Sequence, residues 1–431
     1  MTSIAQLHEA FLRCTGVCTD TRALAPGSLF VALRGPSFKA NAFAAQALAG
    51  GCRHAMVDDP AVALDDRYLL VPDALKALQQ LALHHRRRFA IPVVAITGTN
   101  GKTTTKELVH AVLAADRPTL ATSGNLNNHI GVPLTLLRLT AEHRIAIIEM
   151  GANHVGDIAE LMALAEPTHG LITNIGRAHL EGFGSYEGVV KAKTELFDFL
   201  RGHGGTLFVH ADDPLLMTKS EGLARVTYGT GPNCDTRGRA VPGDGPFLEL
   251  VFTGREGSEQ RVRTRLIGGY NAPNALAAAC IGQHFGVQDA TIAQALADYT
   301  PANNRSQFTD TGRNQLVLDA YNANPSSMKA ALENFAALPG ARPKLAILGG
   351  MKELGADSRT EHEAVIALVR RLGLDAVYVG PEFTELAAPG STAYTDVNAA
   401  LDAFRRNPVE GGLILVKGSR GTKLEALVPA L

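Results

Sequence analysis

The chain has 431 residues, 46% hydrophobic and 19% charged, a globular composition with length for two to four domains, each with its own core. Its 41 basic and 42 acidic side chains leave a formal charge of -1, so no global positive field holds nucleic acid or an anionic membrane, and any phosphate binding has to be local. The five cysteines are scattered and odd in number and read as free thiols. With no secretory leader and no apolar run of about 18 residues, the expectation is a cytoplasmic protein without membrane insertion.

From the N-terminus, Gly27-Ser-Leu-Phe-Val-Ala-Leu-Arg34 has strand character and an Ala-rich helical stretch starts at Asn41, which predicts a small α/β domain over residues 1–89. The run His84-His-Arg-Arg-Arg-Phe89 at its end reads as a solvated helix terminus rather than a nucleic-acid patch, since cations are favourable in a last helical turn. Short apolar strands then recur over 91–97, 144–150 and 169–174 with helical segments between them. That alternation implies parallel βαβ units and a large central domain, residues 90–304. Residues 229–245, with Gly and Pro and a weaker period, are expected to form turns and strands at its edge. After Pro301-Ala-Asn-Asn-Arg305 a third α/β series, residues 305–431, has strands near 315–319, 344–348, 376–379 and 413–416. Within it Asn324 suits a helix N-cap and Pro325 the first helical position, ahead of an apolar stripe of Met328, Ala331, Leu332 and Phe335.

The sharpest signal is Gly98-Thr99-Asn100-Gly101-Lys102-Thr103-Thr104, between the strand ending at Thr97 and a helical pattern through Lys106, Leu108 and Val109. Strand, glycine loop and helix stand in the order a nucleotide-phosphate loop requires, one residue shorter than the usual GxxxxGK[ST] form. Glycines let backbone N–H groups turn inward on a polyphosphate, Lys102 neutralises its outer charge, and Thr103 offers a hydroxyl to Mg²⁺. Such an ion needs further oxygen ligands. Glu149 ends the next strand, at the edge of a parallel sheet where ligands bind, although a strand-end glutamate alone is also compatible with plain solvation. His179 follows the third strand, and a loop histidine by itself is more often incidental than a ligand. Lys193 shares a helical face with Val189, Leu196, Phe197 and Leu200, where a lysine must snorkel, pair or be modified.

Together these segments resemble the Mur ligase family. The matching blocks are Thr97-Gly-Thr-Asn-Gly-Lys-Thr-Thr-Thr-Lys106, Gly124-Asn-Leu-Asn-Asn-His-Ile-Gly-Val-Pro133, Glu149-Met-Gly-Ala-Asn153, residues 173–184, Lys191-Ala-Lys-Thr-Glu-Leu-Phe197, Asp319-Ala-Tyr-Asn-Ala-Asn-Pro325 and Lys417-Gly-Ser-Arg-Gly421, spread over all three expected domains. The resemblance implies an α/β protein of three domains: a small N-terminal α/β domain holding a UDP-sugar, a central P-loop-type parallel-sheet ATPase, and a C-terminal dinucleotide-binding-like α/β domain that closes over the site. It implies an ADP-forming amide ligase using ATP and Mg²⁺, in which a substrate carboxylate becomes an acyl phosphate that an amine then attacks. Within the family the pattern is nearest to members joining D-Ala-D-Ala to UDP-N-acetylmuramoyl-tripeptide in peptidoglycan precursor synthesis, and a monomer is expected.

Residue by residue, the resemblance implies that Gly98 to Thr104 hold the phosphates, that Asn125 contacts the γ-phosphate, and that Asn271 and Asn274 contact adenine. It puts Arg305 near the phosphates and Asp319 near the ribose. Thr103, Glu149, His179 and Lys193 form the metal sites, Lys193 matching a lysine that many members carry as a carbamate. Lys102, Lys193, Glu149 and His179 are the expected catalytic set. Asp20-Thr-Arg22 and Pro26-Gly-Ser-Leu-Phe-Val-Ala-Leu33 resemble the uridine-side segment, while Lys417, Ser419 and Arg420 either meet the D-Ala-D-Ala carboxylate or are solvated. Three departures stand out: Asn303-Asn304-Arg305 in place of Gly-Arg, Leu318 in place of an aspartate, and Lys39-Ala-Asn-Ala-Phe43 without Asp-Gly-His. The Asp-Asn-Pro-Arg run of the diaminopimelate-adding members does not occur, and Tyr321-Asn-Ala-Asn-Pro325 fits folylpolyglutamate synthase poorly.

Overall fold

The strand Val93–Thr97 is apolar until its last residue and buried along its whole length, as a strand covered on both faces of a parallel sheet must be. In the computed structural model, which describes residues 1–35, 38–243, 245–302, 304–387 and 390–431, it lies between Ile145–Glu149 and His169–Ile172 in a sheet of nine strands. Asp244 of the 229–245 segment and Asn303 of the 301–305 linker lie outside the described residues. Seven strands, from Thr119–Ala121 at one edge through Thr206–His210 and Ala224–Gly229 to Thr236–Val241, pair in parallel. Phe247–Thr253 and Glu259–Ile267 then add antiparallel at the other edge. The chain leaves Val93–Thr97 for the Thr119–Ala121 side and returns to its opposite flank with His169–Ile172. The C-terminal end of Val93–Thr97 is therefore a topological switch point, where open α/β sheets form their binding crevice.

A four-stranded parallel sheet precedes it, in the order Val17–Cys18, Leu29–Val31, His54–Val57, Tyr68–Leu70. The helix Ala74–Arg86, capped by Asp73 accepting from Lys76 N–H, carries the chain onto the central sheet. Here the structure corrects part of the reading of 84–89 as a solvated terminus: Arg87 and Arg88 are exposed at the helix end, but the two residues before them are not. His85 and Arg86 are buried; Arg86 donates to the carbonyls of Ala165 (3.0 Å), Phe89 (2.6 Å) and Glu166 (3.2 Å), and His85 Nε2 lies 2.9 Å from Leu139 O. His85 and Arg86 thus join the first sheet's layer to the second by satisfying carbonyls that burial would otherwise leave unpaired.

The third sheet has six strands, in the order Gln307–Asp310, Gln315–Asp319, Leu413–Lys417, Lys344–Gly349, Asp375–Val379, Thr392–Tyr394, parallel apart from the first pair. The helix Pro325–Ala337 starts where the residues indicate: Asn324 accepts from Ser327 N–H, Ser327 returns the bond, and Pro325 stands in the first turn. Met328, Ala331, Leu332 and Phe335 are its buried face. Among the described residues no helix is long and apolar enough to cross a membrane.

Candidate active site

The glycine loop leaves the switch point under tight constraint. Gly98 has φ +140°, and a Cβ there would lie 2.0 Å from Thr173 Oγ1; Gly101 has φ +79°, and its Cβ would lie 2.7 Å from Asn274 Oδ1. Both positions demand glycine, for backbone conformation and for close approach. Thr99 N–H donates to Asn174 O (2.9 Å) and Asn100 N–H to Asn174 Oδ1 (3.0 Å), which fixes the loop before the helix Lys102–Ala114 begins. No side chain caps that helix, so its first-turn N–H groups are available to an anion. Lys102 Nζ folds back onto the carbonyls of Gly98 (2.7 Å) and Thr99 (3.0 Å). Burial lowers its pKa to about 8; Glu149 works against that shift and Arg305 adds to it.

Glu149 ends its strand with 1% of its surface exposed. Its Oε1 accepts from Thr103 Oγ1 (3.1 Å) and Asn127 Nδ2 (2.8 Å), and Oε2 is buried with no hydrogen-bond partner among the described residues. A buried carboxylate oxygen without a donor is costly unless a cation meets it, so the pair of Thr103 hydroxyl and Glu149 carboxylate fits Mg²⁺. Asn127 is a site residue that the sequence reading missed. Its signal was the block beginning at Gly124, in which Asn125 drew attention; Asn125 is exposed on the cavity wall and its carbonyl accepts from Asn127 N–H (2.8 Å).

His179 sits at φ +51°, a left-handed conformation uncommon outside glycine, with Nδ1 2.5 Å from Glu353 Oε2. Glu353 comes from the third sheet's layer and is itself at φ +63°. Burial lowers the pKa of His179, and Glu353 opposes this. Lys193, on the helix Tyr186–His203, is 3% exposed, so it does not snorkel. Its Nζ lies 5.7 Å from the Phe183 ring centre and has no hydrogen bond or ion pair among the described residues. Burial, reinforced by the Lys102 charge, holds its pKa far below that of an ordinary lysine. Of the four expected metal residues, then, Thr103 and Glu149 are in contact, His179 is paired with Glu353, and Lys193 lies beside Phe183.

Asn271 and Asn274 are linked, Asn274 Nδ2 donating to Asn271 Oδ1 (2.9 Å) while Asn274 Oδ1 accepts from Thr105 Oγ1 (3.1 Å); neither acts as a side-chain helix cap. From the third layer Asn324 Nδ2 donates to Asn100 Oδ1 (2.8 Å) and Asn100 Nδ2 to Ser326 Oγ (3.3 Å), so this layer closes directly on the glycine loop. Arg305 stacks on Tyr321, its guanidinium carbon 3.6 Å from the ring centre. Asp319 Oδ2 takes a 2.6 Å bond from Lys417, and Lys417 and Ser419 are buried. Neither is solvated; Lys417 nevertheless lines the cavity, where Asp319 holds its ammonium.

Residues 99–104, Asn125, Asn127, Glu149, His179, Asn271, Asn274, Arg305, Asp319, Asn324 and Lys417 line a cavity of about 560 Å³ to which His210, Asp213, Tyr270, Tyr321 and Asn322 also contribute, while Gly98 and Lys193 stand behind its wall. His210 and Asp213 were overlooked although His210 ends the strand Thr206–His210 at the ligand-binding edge and Asp213 caps the helix that follows; asking what stands at the C-terminal end of every parallel strand would have found them.

A glycine loop at a sheet's switch point, roofed by a second α/β layer, defines a nucleotide-binding enzyme of the P-loop class with a closing domain. Residues 96–282 match the family model described as Mur ligase middle domain, and residues 304–420 the one described as Mur ligase, glutamate ligase domain. The chain is 38% identical to UDP-N-acetylmuramoyl-tripeptide--D-alanyl-D-alanine ligase of Escherichia coli (strain K12), covering 99% of this chain and 95% of that protein. Its fold is similar to that of MurF from Acinetobacter baumannii, with a TM-score of 0.87 at 31% identity over 99% of this chain and 98% of that one. It is also similar to MurF ligase from Thermotoga maritima in complex with ADP, with a TM-score of 0.85 at 26% identity over 97% of each. This chain belongs to the Mur ligase family.

Proposed function

We propose that the chain is an ATP-dependent ligase joining D-Ala-D-Ala to UDP-N-acetylmuramoyl-tripeptide, acting in the cytoplasm as a monomer with domains at 1–89, 90–304 and 305–431. The observation that carries this reading is the cavity itself: glycine loop, orphaned Glu149 oxygen and Arg305 converge on one space, all from a single chain. Relatives sharing more than a third of their residues over nearly the whole length support the choice of substrates.

In this reading the N–H groups of 98–104 and Lys102 hold the outer phosphates of ATP, with Asn125 at the γ-phosphate and Arg305 beside it. Lys102, already partly dehydrated, exchanges two loop carbonyls for phosphate oxygens, a stronger charge-assisted contact. Asn271 and Asn274 face adenine, and Asp319 is near the ribose. Thr103 and Glu149 would hold Mg²⁺, which would supply charge neutralisation at the phosphates. His179 and Lys193 serve a second metal position. Because Lys193 is buried and its pKa is depressed, it is an amine poised to take up CO₂, and the resulting carbamate would give this position an anion suited to metal. The carboxylate oxygen bonds to the γ-phosphorus and ADP leaves; the dipeptide amine then bonds to the acyl carbon, phosphate leaves, and the amine proton is released.

The test is the mass of the amide product formed from ATP, Mg²⁺, UDP-N-acetylmuramoyl-tripeptide and D-Ala-D-Ala, for wild type and Lys193→Ala. The expected result is the product mass with wild type and its loss in the variant, partly restored by added short-chain carboxylate. Undiminished product with Lys193→Ala would remove the carbamate from the reading.

A further inference from the structure

Lys106 stands one helical turn beyond Thr103, on the same face of the helix Lys102–Ala114, and is completely buried. A buried ammonium is costly unless it is paired and hydrogen-bonded, and an apolar side chain would fill such a position without that cost. Its Nζ pairs with the carboxylate of Glu107 and donates to Thr122 O (2.7 Å). Neither Lys106 nor Thr122 lines the cavity, so the phosphate loop alone does not account for the lysine.

What the ammonium braces is the support of Glu149. Thr122 follows the edge strand Thr119–Ala121, is 2% exposed, and continues the ladder with its N–H on Ile147 O (3.0 Å). Its hydroxyl accepts from the backbone N–H of Glu149 (3.0 Å). One helix face therefore grips Glu149 at both ends: Thr103 Oγ1 on the carboxylate and Lys106, through Thr122, on the backbone. Further along the loop that Thr122 opens, Asn127 Nδ2 reaches the same carboxylate (2.8 Å). Slack at Thr122 would loosen both the backbone of Glu149 and the amide that orients its side chain. Resting on the reading of Thr103 and Glu149 as the Mg²⁺ position, we infer that Lys106 and Thr122 are positioning residues for that ion. They hold Glu149 so that its unpartnered oxygen stays available to metal, and they act on metal affinity without touching metal or nucleotide.

The probe is Mn²⁺, its free concentration read by electron paramagnetic resonance with the full chain and saturating ADP. Thr122→Val keeps the size of the side chain and removes the acceptor, and is expected to raise the Kd for Mn²⁺ roughly 10-fold. Thr122→Ser returns the oxygen and should recover most of the loss. Lys106→Met, of similar length and without charge, should weaken Mn²⁺ to a similar degree, and the double variant Lys106→Met/Thr122→Val no further than either alone, since both act along one path. Thr122→Val with the Mn²⁺ affinity of wild type, Thr122→Ser no better than Thr122→Val, or losses that add in the double variant would overturn the proposal and leave a strut that only stabilises the fold. The comparison of Val with Ser at 122 decides the matter even where Lys106→Met fails to fold. Glu149→Gln that binds Mn²⁺ as wild type does would instead defeat the reading of the Mg²⁺ position itself.

Discussion

Gly98 and Glu149 show how much a single position carries. Gly98→Ala would need both a positive φ and a Cβ within 2.0 Å of Thr173 Oγ1, so the loop would have to move. The expected outcome is at least a roughly 10-fold weaker ATP affinity by calorimetry with the far-UV spectrum kept. Glu149→Gln keeps the shape while removing the charge behind the orphaned oxygen; the Mg²⁺ concentration for half-maximal rate should rise about 10- to 100-fold, read from a Mg²⁺ titration at fixed ATP. Residues of this kind were legible where their chemistry is written locally, as in 98–104, or where a residue contradicts its own helical face, as Lys193 does. Asn127 and Glu353 were not: each matters because of a partner that only folding brings near, Glu149 in one case and His179 in the other.

Among the elements, the helix Ala74–Arg86 is the clearest lesson. Its basic end matched a common surface pattern, and nothing local distinguishes a guanidinium that ends in water from one that ends on three carbonyls. Arg86→Ala should cost about 2–3 kcal/mol in denaturant unfolding by stranding those carbonyls. The same helix packs His85 against His8, with His8 Nε2 3.0 Å from His85 Nδ1, both buried. Burial, then the neighbouring His85, His84 and Arg88, lowers His8 to about 4, and burial lowers His85 as well. The folded pair stays neutral where unfolded imidazoles, titrating near pH 6.5, already bind protons, so stability is full above that pH and declines as pH falls from about 6.5 towards 4. His8→Gln should show a smaller drop in Tm between pH 7 and pH 5 than wild type. By contrast the strands over 315–319 and 413–417 and the cap at Asn324 were legible in outline, because apolar runs and capping chemistry are written in neighbouring residues.

At the scale of the whole molecule, the site exists only because two layers meet. Asn100 belongs to the glycine loop yet bonds Asn324 and Ser326, and His179 meets Glu353 across the same junction. The succession of strands and helices and the parallel pairing of the central sheet follow from alternating patterns along the chain; the order of strands within the sheets and the closure do not, the latter because it depends on polar contacts between residues far apart in sequence. The central claim is that this closed cavity couples ATP cleavage to amide formation. Phosphate release from ATP and Mg²⁺ should be measured with UDP-N-acetylmuramoyl-tripeptide alone, D-Ala-D-Ala alone, both and neither. Sustained release only with both present is the predicted result. Release that is indifferent to the two substrates, or that needs no D-Ala-D-Ala, would contradict the account.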